Sequence, residues 1–417
     1  MNNISPKIAF LGGIFPEEKK DEIIRDTIGQ PQHAANILQC NIIGGIEKNI
    51  HKPVTIFNAL FIGSFPKRFK KLFIRHYTFN HYITALHTDY NIGFFNSPQI
   101  KQLSRIKEVY RFLEHRADIR QYNMIIGYSM TLTIVKGLIR AKKLNPNLIT
   151  CLIVPDLPEY MNLERTPPLL INLAKQYSNY KLYRSIQEID CFVVLTKYMA
   201  KALRVNHKPV SVIEGMTNPK TVNGVYDSTV KKFVYTGSLG EKYGIKDLVD
   251  AFHRLDENDI ELVICGGGDT VGYIKKIAKI DQRIVYKGIL TPEEVDNVQQ
   301  DAYVFVNPRS SKEEYTKYSF PSKTLEYLAS GHPILMYHLP GMPEEYDKYM
   351  IYFDDNDEDA MYKGLKRILS MNSDDIKKIG MEGKAFVEQF KTDTIQAKKI
   401  IDMYYRVKGY KENDYNG

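Results

Sequence analysis

Short apolar runs alternate with amphipathic stretches along most of the chain. Lys7–Gly13 (KIAFLGG) reads as a buried strand entering a glycine turn. Val54–Ile62, Asn123–Gly127, Leu148–Val154 and Cys191–Thr196 read as further strands, with His33–Ile43 and Leu132–Lys143 as amphipathic helices between them. The pattern then breaks. Val205–Lys232 is rich in Asn, Pro, Gly and charge, with one short apolar piece at Val210–Ile213, and reads as a connection. The alternation restarts with strands at Phe233–Thr236, Glu261–Cys265, Ile284–Tyr286, Tyr303–Val306, Pro333–Tyr337 and Met350–Phe353. Helices are expected at Ile245–Leu255, Pro292–Gln300 and Ser322–Leu328. This alternation predicts an α/β protein with mainly parallel sheets in two Rossmann-like domains facing each other across a cleft. The expected division is residues 1–207, a linker at 208–231, a second domain at 232–390, and a helix and tail at 391–417 that cross back to the first domain. Open parallel sheets bind ligands beyond the carboxyl ends of their strands, so the cleft is the expected site.

Composition narrows the class of protein. At 417 residues the chain exceeds one ordinary core, and 43% hydrophobic with 25% charged residues is the balance of a folded globular protein. No apolar run is long enough to span a bilayer, and the N-terminal run reads as a first strand, not a signal peptide. Cytoplasmic localisation is therefore expected, with peripheral attachment at the inner face of the membrane as its extension. The four cysteines, Cys40, Cys151, Cys191 and Cys265, lack CxxC spacing. Reduced, buried thiols are expected, and neither a zinc site nor a disulfide framework. A net charge of +8 suits an anionic partner, whether nucleotide, phospholipid surface or nucleic acid.

Four segments of the second half join a strand end to glycines or a polar cluster. FVYTGSLGEKYGIKDLVDAF carries Gly237, Gly240 and Gly244 before a helix, with Lys242 as a cation. It reads either as an ordinary βα turn or as an anion-holding loop. LVICGGGDT runs a strand into Gly266, Gly267, Gly268 and Asp269, which calls for close backbone approach or positive φ but is not a dinucleotide fingerprint. VYKGILTPEEV places a Thr N-cap and a Pro at a helix start, and the backbone of Gly288–Leu290 could face a base. KYSFPSKTLEYLASG opens a helix near Ser322, with Lys323 alongside and Glu326 one turn further on the same side as Ser322. A carboxylate there is poorly placed for a phosphate and well placed for sugar hydroxyls. A partly exposed surface Glu is the plainer reading.

The order of these motifs, ending in FPSKTLEYLASGHPIL, resembles the C-terminal domain of glycosyltransferase family 4, retaining enzymes of the GT-B fold that include bacterial surface-polysaccharide enzymes. The likeness is specific over Lys232–Asp374 and looser before it. It implies a nucleotide-diphosphate sugar donor held by the second domain and an acceptor held by the first. By position it implies donor contacts from Gly237, Ser238, Leu239, Gly266, Gly267, Gly268, Gly288, Ile289 and Leu290. Tyr318, Phe320, Pro321, Ser322, Lys323 and Glu326 follow in the same role. Glu326 matches the second glutamate of the family's pair, which holds the nucleotide ribose. Two departures stand out. The first glutamate of that pair falls at Tyr318, with Glu313 and Glu314 displaced from it. The arginine that often follows the loop's first glycine is Ser238, which leaves Lys242 as the cation.

On the acceptor side the strand at Leu148–Val154 ends in VPDLPEYMN, so Asp156 is the polar candidate and Glu159 the second. Gly12, Gly13 and His33 are expected nearby. The resemblance implies front-face displacement in which the leaving diphosphate helps deprotonate the acceptor, with Glu326, Lys242 and Asp156 as the acting residues and neither metal nor other cofactor. The stretch Phe65–Tyr82, FPKRFKKLFIRHYTFNHY, is basic and aromatic. As a helix it would suit an anionic membrane surface and a lipid-linked oligosaccharide or glycan acceptor; as a loop it would be a solvated basic stretch. No nucleic-acid module surrounds it, so nucleic acid is not expected as a partner. The alternatives to a transferase are a non-catalytic GT-B subunit that binds glycan or a partner enzyme, and a nucleotide-sugar epimerase of the same fold.

Overall fold

The computed structural model describes residues 5–82, 86–160, 169–218, 229–355, 357 and 359–410. The chain divides into two compact units, Met1–Met216 with Asp393–Gly417, and Thr217–Thr392. Residues 219–228 of the connection read at 208–231 lie outside the described residues. Its apolar piece does not: Val210–Val212 is a strand of the first unit's sheet, drawn in because Ser211 is buried against the last helix, where its hydroxyl donates to the Lys399 carbonyl at 3.3 Å.

The first unit carries β1 (Ile8–Gly12), β2 (Thr55–Asn58), β3 (Phe73–Ile74), β4 (Tyr77–Phe79), β5 (Asp89–Asn91), β6 (Phe94–Phe95), β7 (Met124–Tyr128), β8 (Ile149–Val154), β9 (Cys191–Val194) and β10 (Val210–Val212). Eight of them form one sheet in the order β10-β9-β8-β7-β1-β2-β5-β4, parallel except where β4 meets β5. β1 is central, and its Ile8, Ala9, Phe10 and Leu11 are fully buried, as expected for a strand covered on both faces. The helix His33–Ile50 covers that core, and the final helix Asp393–Val407 packs against it so closely that a Cβ on Gly45 would lie 2.3 Å from the Asp393 carbonyl oxygen.

The second unit carries β11 (Lys231–Thr236), β12 (Ile260–Cys265), β13 (Ile284–Gly288), β14 (Val304–Asn307), β15 (Ile334–Met336) and β16 (Met350–Tyr352). They form a fully parallel sheet in the order β13-β12-β11-β14-β15-β16. In each sheet the strand order reverses beside the first strand of the unit, between β1 and β7 and between β11 and β14. Such switch points open a crevice at the carboxyl ends of the strands. The helix Pro292–Gln300 starts as its sequence predicts: Glu294 N–H donates to Thr291 Oγ1, and Thr291 N–H donates to Glu294 Oε2 at 2.8 Å.

The stretch Phe65–Tyr82 is not a helix. It is turn, a bridge at Phe69 and the short strands β3 and β4, because its aromatics alternate between core and surface: Phe69 and Phe79 are buried while Phe73 is 64% exposed. Lys71 is tied to Glu22 and Asp26. Among the described residues no helix is long and apolar enough to cross a membrane. All four cysteines are free; Cys151, Cys191 and Cys265 are buried, whereas Cys40 lies on the exposed side of its helix.

Candidate active site

At the switch point of the second sheet, Tyr327 joins the pieces together. Its ring stacks on Phe305 of β14 at 4.0 Å, and its hydroxyl bonds the backbone N–H and C=O of Thr236 at the end of β11, each at 3.0 Å. One side chain thereby ties the helix Lys323–Ala329 to both strands flanking the crevice, and Glu326 is its immediate neighbour. Leaving the two Thr236 groups unpaired would cost about 1–3 kcal/mol. Glu326 is two-thirds buried and accepts from Lys323 Nζ at 2.8 Å, so the carboxylate and the cation expected at the helix start form one pair. Ser322 is exposed and is the N-cap of this seven-residue helix, with no amide bonded to its hydroxyl.

The glycine loops bind each other. Gly237 N–H donates to Cys265 O, Leu239 N–H to Gly267 O, and Thr270 N–H and Oγ1–H both to Leu239 O. A Cβ on Gly266, whose φ is +137°, would lie 1.8 Å from Gly237 O, and one on Gly268 would meet the Leu239 carbonyl at 2.4 Å. These glycines are required by loop-on-loop packing, which is the close approach that the sequence signalled. Asp269 accepts the Glu241 amide at 2.9 Å, and Gly266 N–H donates to Gly288 O at 2.7 Å. The structure thus brings Gly237, Ser238, Leu239, Gly266–Gly268 and Gly288 to one edge, with Ser238 and Ile289 exposed there and Ile289 74% accessible. Phe320 and Pro321 are buried beneath the loop, and Tyr318 is half-buried at the end of the 3-10 turn Glu314–Tyr318.

Lys242 lines a pocket of about 310 Å³ together with Lys312 and the acids Glu241, Asp247, Glu313, Asp355 and Asp357. A second cation near this loop is Arg309, which follows β14. Its guanidinium lies 5.0 Å from the Tyr243 ring and 5.7 Å from the Tyr315 ring. It also acts on Tyr235, whose phenol burial pushes up and Arg309 pulls down, and whose hydroxyl donates to Ser238 O at 2.8 Å. Arg309 therefore adjoins the loop that lacks an arginine at Ser238. A lone Arg in NPRSS reads as a solvated loop residue; the tyrosines that hold it come from distant segments.

In the first unit, Gly12 and Gly13 are buried. A Cβ on Gly12 would lie 2.4 Å from Gln39 Oε1, and one on Gly13 2.2 Å from the Phe61 ring. Their smallness serves packing at the β1 turn, where Gln39 accepts the Gly13 amide at 2.8 Å. His33 is exposed at the start of its helix, edge-on to Phe15 at 6.3 Å, with its pKa lowered by burial and by Lys20. Asp156 is exposed beyond β8 and near enough to Tyr128 at the end of β7 to raise its phenol pKa further above the value that burial sets. Glu159 is engaged by the Tyr183 hydroxyl at 2.9 Å.

Residues 230–371, about a third of the chain, match the family described as Glycosyl transferases group 1. No curated protein matches the sequence. Similar solved structures include sucrose-phosphate synthase from Thermosynechococcus elongatus, at 16% identity and TM-score 0.66 over 97% of this chain and 99% of that one. The lipopolysaccharide outer core galactosyltransferase WaaB is similar at 15% identity and TM-score 0.63 over 96% and 99%. Anabaena HepE in complex with UDP and glucose is similar at 11% identity and TM-score 0.58 over 96% and 100%. Likeness at such identities establishes the architecture: the chain has the GT-B fold, with two Rossmann-like α/β domains.

Proposed function

We propose that the protein transfers a sugar from a nucleotide-diphosphate donor to a glycan or lipid-linked acceptor, with retention at the anomeric carbon. The family-4 resemblance and the match of residues 230–371 support it. The observation that carries it is Glu326, held at the β11/β14 switch point by the bonds of Tyr327 to Thr236, beside the glycine loops. Freed from Lys323, the carboxylate accepts two hydroxyls of the ribose, while Lys323 turns to the diphosphate. Arg309 takes the place assigned by sequence to Lys242 and offsets the charge that develops on the departing diphosphate. The bond from the anomeric carbon to the diphosphate oxygen breaks, the acceptor oxygen bonds the same face, and its proton passes to the diphosphate. Asp156 orients the acceptor hydroxyl. No metal is required in this scheme, so turnover is expected to persist in EDTA.

A neighbour of the same fold holds UDP and glucose, which makes UDP-sugars the first donors to try. A thermal-shift panel of UDP, GDP and ADP sugars tests the reading. Stabilisation by one nucleotide in the wild type, lost in Glu326→Ala, is expected; no stabilisation by any of them rejects it. A donor-binding subunit without turnover is the second reading, favoured by Tyr318 at the position of the paired glutamate and by the Lys323–Glu326 ion pair. Product formation separates the two. Exposed Phe73 with Lys70 and Arg75 suits peripheral contact with an anionic cytoplasmic leaflet in a surface-polysaccharide role, and co-sedimentation with anionic vesicles, absent with neutral ones, is expected.

A further inference from the structure

A pocket of about 740 Å³ opens within the first unit, lined by segments that follow β1, β2 and β7. Phe15 comes from the first, Phe61 from the second, and Ser129 and Thr131 from the third; Lys67, Arg68, Arg105 and the stretch 27–32 also line it. Among the described residues that line it, none is acidic.

Arg105 has no carboxylate partner among the described residues. Its Nη2 donates to the Ala59 carbonyl at 2.6 Å, and its guanidinium lies 5.5 Å from the Phe61 ring and 5.2 Å from the Phe94 ring. Its Nε is buried and unpaired. Burial alone lowers its pKa to about 10. Lys101, one turn earlier on the helix Lys101–His115, donates to the Ile62 carbonyl, and burial and the neighbouring Arg105 bring its pKa down to about 8. Two desolvated cations side by side are costly unless an anion joins them.

Thr131 supplies the second half of a site. It is the N-cap of the thirteen-residue helix Leu132–Leu144, yet its hydroxyl bonds no amide of that helix, and Oγ1 is buried without a partner. A free N-cap hydroxyl and the positive end of a helix of this length suit an anion. Ser129, two residues before, holds a left-handed φ of 76°, a strain that non-glycine residues retain where the surroundings demand it.

We propose that this pocket binds the anionic group, phosphate or carboxylate, of an acidic acceptor between the Arg105 guanidinium and the Thr131 hydroxyl, with Arg68 at the mouth. The inference rests on the transferase reading and narrows its acceptor to a phosphorylated or uronic sugar.

The test is calorimetric titration of the full chain with inorganic phosphate and with glucuronate, each with and without UDP, and with glucose as the neutral control. Binding of one anion and not of glucose is expected, and the anion that binds identifies the source of the charge. Arg105→Gln should weaken that binding at least tenfold, Thr131→Val severalfold and Arg68→Gln less, with UDP affinity unchanged. Should Arg105→Gln fail to fold, Thr131→Val, which keeps the side-chain volume, still decides the matter. Absence of anion binding, or equal affinity in the wild type and both buried-site variants, overturns the proposal. UDP binding without anion binding rejects the pocket and leaves the donor site standing. Variant-sensitive anion binding without UDP binding upholds the pocket and rejects the donor site.

Discussion

At the second sheet's switch point the charges come with partners: Lys323 with Glu326, and Arg309 over the rings of Tyr243 and Tyr315. At the first sheet's switch point Arg105 and Lys101 sit together; among the described residues their hydrogen bonds go to backbone carbonyls, with Arg105 also over the Phe61 and Phe94 rings and no carboxylate paired with either. The two crevices share a topology and differ in what they lack. The second already contains a carboxylate and suits a ligand that brings hydroxyls as well as phosphate. The first contains positive charge without an opposing group and suits a ligand that brings the anion. Within the first unit the set around His81 sharpens the contrast. His81 bonds Asp89 through Nδ1 at 2.6 Å and Glu47 through Nε2 at 2.9 Å, and His87 bonds the other Asp89 oxygen at 3.0 Å. His81, His87 and Asp89 are near enough to share a cation, but in this arrangement they neutralise one another. Burial opposes the charge on His81, yet its hydrogen bonds to Asp89 and Glu47 raise its pKa to about 9.

The comparison can be broken most sharply at Glu326. Glu326→Ala removes two charge-assisted hydrogen bonds to the donor, so kcat/KM should fall by roughly 10²–10³-fold, about 3–4 kcal/mol, with the circular-dichroism spectrum retained. An unchanged kcat/KM would leave the second crevice without its carboxylate role.

The next effect is one of pH. His81 is protonated more readily in the folded state than at its ordinary value of 6.5, so its contribution is fully present below pH 6.5 and is lost as the pH rises through about 9. Unfolding free energy from urea titrations should drop by up to about 3 kcal/mol across that window, and His81→Gln should flatten the slope. Asp89, which burial would raise but its bonds from His81, His87 and the Ile56 amide hold down at about 2, protects the same set on the acid side. A wild-type slope no steeper than that of the variant would show that the set is not charged in the fold.

Arg309→Gln should lower donor turnover by about 10- to 100-fold, in the range of 1.5–3 kcal/mol for one charge-assisted bond. Lys242→Gln should act more weakly, because Lys242 lies among acids. Kinetics on both variants compare the two cations directly, and the reverse order would return the role to Lys242. The smallest effect is expected at Tyr327→Phe, which keeps the stack on Phe305 and loses the bonds to Thr236. A loss of about 1–3 kcal/mol in stability is expected by urea denaturation, with a smaller loss in turnover as the helix carrying Glu326 loosens.

Much of the second unit was legible because its strands are continuous apolar runs closed by glycine or proline, and the period of such runs survives any tertiary context. Val210–Val212 was misread as connection because a three-residue edge strand is too short to show a period. The stretch Phe65–Tyr82 was harder still, since its aromatics serve two short strands and a turn. Arg105 shares a helix face with the buried Val109 and Phe112, a spacing that was present in the chain as a signal. A basic residue on an amphipathic helix nevertheless reads as solvated, and its missing counterion is a fact about space.

By itself the chain determined the alternation of strand and helix, the glycines that close loop contacts demand, and a carboxylate one turn inside the helix of FPSKTLEYLASG. These follow from local backbone geometry and side-chain period. The tertiary structure decided which charges are answered: Lys323 by Glu326, His81 by Glu47 and Asp89, and Arg105 by no acid among the described residues. The energy of a charge depends on desolvation and on distance through space, and neither is written in the order of residues along the chain.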